Sequence, residues 1–201
     1  MLLKLKFILV VLLKRKMEEE EKIISAISED QLWQEVISDF EADPDPLDYH
    51  VVLEQQERRT ILDIHNNHAV GFEALAFTAF SAYLFGRNDF RFAIYNQGFK
   101  DELSKFFGMQ DVILGFKDFD EKFIIKTNDE TKAALIFANK QIRDTFLKTP
   151  ELSFGIVEYT LEEGDGKAPF LELKIEKAIT DPIQLRKVYN AFFNVLVLIE
   201  Q

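Results

Sequence analysis

The chain has 201 residues, no cysteine and a formal net charge of −11. Its length fits one domain of ordinary size, and a hydrophobic content of 47% excludes a disordered chain. The lack of cysteine excludes disulfides, thiolate catalysis and sulfur-bound zinc, and it is typical of a reducing compartment. We therefore expect a cytoplasmic protein, with the inner face of the membrane as the alternative location.

The charge is unevenly distributed along the chain. Residues 1–16 contain five lysines or arginines and no acid, and because the whole chain carries −11, residues 17–201 carry −16. Proteins bind a phosphate backbone mainly through lysine and arginine, so this acidic body is not expected to bind nucleic acid. Acidic surfaces suit solubility, basic protein partners or cations, but most often they are only a solvated exterior.

The first sixteen residues read MLLKLKFILVVLLKRK, with an unbroken apolar run only over residues 7–13. That run is shorter than the roughly twenty residues that span a bilayer. No small-residue cleavage site of a secretory signal follows it. Two interpretations stay open. Residues 2–16 form a basic, apolar anchor for peripheral contact with a membrane, or they are an upstream extension and Met17 is the true start.

Residues 17–42 are predicted to form a helical arm. A weak helix is expected over 18–27, and a stronger helix begins at Ser28, where Gln31 completes a capping box. The second helix is expected to end before the Asp-Pro-Asp-Pro sequence at 43–46, because proline and the residue before it both disfavour helix. This sequence marks the clearest boundary in the chain.

Residues 47–201 are predicted to form a single α+β domain. Alanines at 72–85 permit a helix, but the aromatic residues and the turn at 86–89 favour a long hairpin with 90–95. Because strands follow one another in hairpins, we predict a mainly antiparallel sheet packed with N-terminal, central and C-terminal helices. The predicted strands are 49–53, 60–64, 72–85, 90–95, 111–114, 122–126, 152–161 and 170–179.

Three helices are predicted within this domain. A short helix is expected over 99–107, and a central helix is expected to be capped by Thr127 or Asn128. The C-terminal helix is predicted with Asp181 as its cap and Pro182 in its first turn. The buried face of the central helix is expected to comprise Leu135, Ala138, Ile142 and Phe146. That of the C-terminal helix is expected to comprise Leu185, Val188, Phe192, Val195 and Ile199.

Four features follow one another within residues 96–147. They are GMQDVILG from Gly108, FDEKFIIK from Phe119, the acidic start Asn128-Asp129-Glu130 and the arginine Arg143. Together they resemble an uncharacterised bacterial domain family of unknown function, over about a quarter of the chain. Phe116 stands where that family's pattern has an acid. The resemblance implies a bacterial protein, sometimes membrane-tethered in relatives, and transfers no activity and no functional residue.

Asp63, His65 and His68 are the candidate metal ligands. Two imidazoles and a carboxylate suit zinc or another divalent metal. The histidine spacing suits a helix, whereas the segment resembles a strand that runs into an Asn-Asn turn, so an ordinary polar turn is the competing interpretation. No cofactor is predicted.

Two further groups of residues have a functional and a structural interpretation. The acids Asp111, Asp118, Asp120 and Glu121 could hold Mg²⁺, but a turn between two strands, with Phe119 and Phe123 pointing inward, explains them. The 20 phenylalanines indicate a Phe-packed core. Six of these phenylalanines could instead line a cavity for an apolar ligand. They are Phe72, Phe77, Phe80, Phe85, Phe90 and Phe92.

The sequence contains no serine-nucleophile elbow, phosphate-binding loop or dinucleotide-binding fingerprint. We therefore predict a non-enzymatic protein-interaction domain that acts through a protein partner or through self-association. The alternatives are a binding module for an apolar small molecule and, third, a metal-dependent hydrolase that uses His65, His68 and Asp63.

Overall fold

The computed structural model describes residues 21–66, 76–85, 89–96, 109–160 and 167–201. Within them the chain forms nine strands and five helices. The strands are β1 (Ile23–Ser25), β2 (Asp48–Gln55), β3 (Arg58–His65), β4 (Phe77–Tyr83), β5 (Phe92–Asn96), β6 (Gln110–Asp111), β7 (Phe123–Thr127), β8 (Leu152–Thr160) and β9 (Lys167–Ile175). The helices are α1 (Glu29–Ala42), α2 (Lys117–Lys122), α3 (Glu130–Phe137), α4 (Lys140–Lys148) and α5 (Pro182–Ile199).

All nine strands belong to one sheet with the order β1-β2-β3-β4-β9-β8-β5-β7-β6. Only β1 and β2 pair in parallel, and every other neighbouring pair is antiparallel. The predicted α+β class with a mainly antiparallel sheet is therefore confirmed. The predicted hairpins β2–β3 and β8–β9 are both present.

The predicted hairpin between residues 72–85 and 90–95 is wrong in its pairing. The strands themselves exist as β4 and β5, but β4 pairs with β3 and β9, whereas β5 pairs with β7 and β8. The β8–β9 hairpin lies between β4 and β5. Strand β4 pairs with its β9 edge, and strand β5 pairs with its β8 edge. The turn residues at 86–89 indicate where the chain changes direction. They do not determine which strands the segments on either side pair with. Residues 72–75 and 86–88 lie outside the described residues.

The weak helix predicted over 18–27 is also wrong where the structure describes it. Residues 23–25 form β1, and the flanking bonds run from the Val52 amide to the Lys22 carbonyl (2.9 Å) and from the Ala26 amide to the Glu54 carbonyl (3.2 Å). Ile23 and Ile24 suit an extended strand beside β2, because β-branched side chains pack well on a sheet. The helix start at Ser28 is confirmed, since its hydroxyl accepts the Gln31 amide at 3.3 Å.

Helix α1 packs into the same core as the sheet. Leu32, Trp33 and Val36 are completely buried, and the Trp33 ring meets the Tyr189 ring of α5 at 5.5 Å. The described part of the predicted arm, 21–42, therefore contributes side chains to the main hydrophobic core.

The central segment differs from the prediction in five respects. The strand expected over 111–114 is shortened to β6, and the acidic turn is the helix α2, although Phe119 and Phe123 do point inward. The central helix is interrupted, because Asn139 accepts the Gln141 amide at 2.9 Å and so begins α4 as a new N-cap. Asp129 caps α3 instead of Thr127 or Asn128. Of the face predicted for one helix, Ile142 and Phe146 are buried whereas Leu135 and Ala138 are exposed.

The C-terminal helix α5 is confirmed in detail. Asp181 accepts the Ile183 amide at 2.9 Å, Pro182 lies in the first turn, and the predicted apolar face is buried. Among the described residues no helix is long and apolar enough to cross a membrane. The helix predicted over 99–107 and the segment 1–16 lie outside the described residues.

The helices and one face of the sheet share the main core, which includes buried residues from α1 to α5. Along each strand the alternate side chains point to the opposite face, which is called the outer face below. A second, small cluster lies there, and its described members all come from the sheet and its connections.

Candidate functional site

The most distinctive feature of the outer face is a group of four aromatic rings, Tyr83, Phe85, Tyr159 and Phe170, which is called the aromatic patch below. Tyr83 at the end of β4 lies directly opposite Phe170 on β9. Phe85 follows two residues after Tyr83, and Tyr159 stands on β8 beside the start of β9. Because side chains alternate between the two faces of a strand, aromatic residues of the neighbouring strands β4, β9 and β8 lie together on the outer face.

The four rings meet edge to face in an unbroken series. The Tyr83 centroid is 4.8 Å from that of Phe85 at an interplanar angle of 85°, and 5.5 Å from that of Phe170 at 72°. Phe170 in turn meets Tyr159 at 5.5 Å and 81°. Such pairs contribute about 0.5–1.5 kcal/mol beyond the burial of area. The rings therefore hold one another in a fixed arrangement.

One end of the aromatic patch faces solvent. The exposed fraction is 42% for Tyr83 and 71% for Phe85. The other end joins the small outer-face cluster, where Tyr159 and Phe170 pack against the buried Val157, Ala93 and Tyr95. Single exposed apolar residues are normal on a protein surface, but contiguous aromatic groups mark interaction sites.

One carboxylate, Glu172, borders the aromatic patch, and a second, Glu158, lies next to Tyr159 in sequence but on the opposite face of β8. The Tyr159 hydroxyl donates to Glu172, which stands two residues after Phe170 on the same face of β9. Glu158 accepts Arg91 Nη2 at 2.8 Å and Lys167 Nζ at 3.3 Å. The Arg91 hydrogen bond, supported by Lys167 and opposed by desolvation, holds the pKa of Glu158 below its usual value. This carboxylate therefore stays ionised at neutral pH.

The structure places two of the predicted metal ligands, Asp63 and His65, on the outer face of β3, opposite Ala79 and Phe77 of β4 and towards the other end of β4 from Tyr83. Asp63 contacts Nδ1 of His50, and Nδ1 of His65 lies 2.5 Å from Oδ1 of Asp48. Both are cross-strand pairs of the β2–β3 hairpin, so each imidazole faces a different carboxylate. No group of three metal-binding side chains occurs among the residues that the structure describes. His68 lies outside them, and the set Asp63, His65 and His68 stays a prediction.

His50 and Asp48 were missed by the sequence reasoning, although a signal existed. A two-residue turn at Gln56-Glu57 fixes the register of the hairpin and places residue 50 opposite residue 63. Both turn residues have positive φ, 50° and 62°, as a type I′ turn requires. The acids predicted as a cluster do not converge either, since Asp111 pairs with Lys126 whereas Asp120 accepts the Leu114 amide.

An open cleft of about 450 Å³ lies between the β2–β3 turn and the connection from β1 to α1. Its two arginines are already engaged. Arg58 Nε donates to Glu200 Oε2 at 2.6 Å, and Arg59 Nε lies 3.1 Å from Glu54 Oε1. The cleft therefore presents paired charges.

The phenylalanines that were candidates for an apolar cavity divide between two environments. Phe80, Phe90 and Phe92 are buried and contact other rings of the core, for example Phe92 with Phe154 at 5.3 Å. Phe77 is half-buried on the outer face and Phe85 is exposed, whereas Phe72 lies outside the described residues. The described members therefore do not line one common cavity.

No protein-family model, curated protein or solved structure matches this chain. The resemblance described for residues 96–147 therefore stays a prediction.

Proposed function

We propose that the chain is a protein-interaction domain and that the aromatic patch is its docking surface. The observation that carries the proposal is the exposed, edge-to-face arrangement of Tyr83, Phe85 and Phe170 on the outer face. Aromatic side chains are enriched at the energetic centres of protein interfaces, because they bury a large area with few rotatable bonds.

The occupant that the charges favour is a segment of another protein in which lysine or arginine alternates with apolar side chains. Residues 17–201 carry −16, so residues 17–201 of a second copy would bring like charge to the interface, and only its residues 1–16, at +5, would be attracted. The negative charge of residues 17–201 also repels nucleic acid and anionic lipid. A basic segment is attracted, and its apolar side chains can cover the rings.

The structure also bears on the two alternative functions. An apolar small molecule would need a lined cavity, whereas Phe80, Phe90 and Phe92 contact neighbouring core rings. A hydrolase would need converging ligands, whereas the histidines His50 and His65 pair with separate carboxylates. Both observations favour the interaction domain.

Selection of peptides from a random displayed library against the immobilised full chain tests the proposal. We expect the selected peptides to have positive net charge and apolar residues, and to lose binding to Phe85→Ser. Leu135→Ser is the matched control, because Leu135 on α3 has the same exposed fraction of 71% outside the patch. Equal binding to the two variants, or selection of uncharged peptides, would overturn the proposal. A wild-type dimer that Phe85→Ser dissociates would show a second copy as the occupant and would overturn it as well.

A further inference from the structure

The aromatic patch has the geometry of a cation-binding corner. Tyr83 and Phe85 stand at 85° to each other with their centroids 4.8 Å apart, so the edge of one ring contacts the face of the other and the two ring planes are perpendicular. Phe170, half-buried, stands at 72° to Tyr83 as its cross-strand neighbour. A cation is attracted to the face of an aromatic ring within about 6 Å of its centroid, and aromatic cages for methylated lysine use several such rings.

A carboxylate lies beside the Tyr83–Phe170 pair, on the side of Tyr83 away from Phe85. Tyr83 and Phe170 form one cross-strand pair of β4 and β9, and the adjacent pair on the same face is Ser81 with Glu172. Glu172 is fixed in orientation by the hydroxyl of Tyr159. Negative charge next to the negative faces of aromatic rings strengthens attraction for a cation and does nothing for a neutral apolar group.

We propose that the corner formed by Tyr83, Phe85 and Phe170 binds an alkylammonium group, such as a methylated or unmodified lysine side chain of the partner. The inference rests on the proposed function, since it names the chemical group that the docking surface recognises. The rings attract the cation through their quadrupoles and cover its methyl or methylene groups, while Glu172 supplies long-range charge complementarity.

A pair of peptides that differ in one atom tests the inference on the full-length chain. Both peptides have the same apolar sequence around one central residue. In the first peptide that residue is trimethyllysine. In the second it is the neutral tert-butyl analogue, in which carbon replaces the charged nitrogen. Shape and size are matched, so a difference in Kd reports the positive charge. We expect the trimethyllysine peptide to bind about threefold to thirtyfold more tightly.

Variants assign that preference to the corner. Phe85→Leu keeps an apolar side chain but removes the quadrupole, and Glu172→Gln removes the carboxylate; we expect each to reduce the preference for the cation. Leu135→Ser is expected to leave it unchanged, and thermal unfolding confirms that each variant is folded.

Equal affinities of the two peptides for the wild-type chain, or no binding of either peptide, would overturn the inference. The proposed function has a separate readout. If peptides selected from the library bind the wild-type chain and fail on Phe85→Ser, while the charged and neutral peptides bind alike, the docking surface stands and only the cation-binding role of the corner fails.

Discussion

Tyr83 and Phe170 lie directly opposite each other on β4 and β9, with ring centroids 5.5 Å apart on the outer face. The pair exists because the β8–β9 hairpin, from late in the chain, inserts beside β4. The docking surface proposed above is therefore a product of non-local strand pairing. Its residues are separated in sequence and brought together only when the whole sheet forms.

Phe85→Ser is expected to change the surface much more than the stability. Because Phe85 is 71% exposed, its replacement should lower the free energy of unfolding by little more than the value of its edge-to-face contact with Tyr83, about 0.5–1.5 kcal/mol. Retention on a hydrophobic-interaction column should fall, because part of the exposed aromatic area is removed. Urea unfolding and chromatography of the same preparation check both parts. A loss of several kcal/mol would show that Phe85 is part of the core and would remove it from the patch.

Gly155→Ala is expected to destabilise the fold strongly. A Cβ atom at Gly155 would lie 2.5 Å from the Phe92 carbonyl oxygen and 2.9 Å from the Ala93 Cα, both of which are backbone atoms of β5. Strands β8 and β5 must move apart to admit it, which costs about 1–3 kcal/mol. Gly115→Ala is the comparison, because its φ of +85° adds strain although nothing lies within 4 Å, so a cost of about 1 kcal/mol is expected. Urea denaturation of the two variants would contradict this account if Gly155→Ala were the milder one.

Lys122→Met is expected to loosen the end of α4. The Lys122 ammonium donates to the carbonyls of Phe146 (3.1 Å), Leu147 (2.9 Å) and Thr149 (2.6 Å) at the C-terminal end of α4, where the last carbonyls of a helix lack amide partners from a following turn. The Phe146 carbonyl also accepts the Thr149 amide at 3.2 Å. Loss of the Lys122 hydrogen bonds should cost about 1–2 kcal/mol, since hydrogen bonds to charged groups are stronger than average. Lys140→Met removes only an exposed pair with Asp144, which solvent screens, and should cost clearly less than Lys122→Met. Equal effects of the two substitutions on chemical unfolding would argue against the capping role.

Alkaline pH is expected to destabilise the protein through Tyr189. Burial, with a smaller contribution from the charge of Glu29, raises the pKa of Tyr189 above its usual value of 10. A tyrosine whose folded pKa is raised keeps its proton in the native state while the unfolded chain loses it. Stability is therefore complete below pH 10 and falls above it by about 1.4 kcal/mol per pH unit for one such group. Unfolding curves at pH 9, 10 and 11 should show a shallower decline for Tyr189→Phe.

The tyrosine substitution has a second consequence at neutral pH. The Tyr189 hydroxyl donates to Gln55 Oε1 at 2.9 Å in the interior, so Tyr189→Phe should cost about 1 kcal/mol there. A decline with pH as steep as that of the wild-type chain would show that other groups cause the alkaline loss.

Local signals in the sequence predicted local structure well. The Asp181 cap and the following proline located α5, and the Ser28 cap located α1, because a cap is satisfied by neighbouring amides. Pairing could not be predicted in the same way. The aromatic residues of β4 and β5 indicated strands, but the choice of partners depended on the distant β8–β9 hairpin.

The functional surface was harder to predict than the strands. Phe85 and Phe92 were both candidates for the lining of an apolar cavity, yet one is 71% exposed and the other is completely buried. Only the register decides which side chains face the helices and which face outward. For the same reason the carboxylate partner of each histidine became evident only from the pairing of β2 with β3.

The most direct test of the docking surface is a titration of the isotope-labelled full chain with a basic, apolar peptide taken from the selection, followed by two-dimensional NMR. We expect the largest chemical-shift changes at Tyr83, Phe85, Tyr159 and Phe170. Phe85→Ser should abolish these changes, whereas Leu135→Ser should leave them in place. Shift changes confined to the helical side of the sheet or to the cleft at residues 25–27 and 54–59 would contradict this prediction.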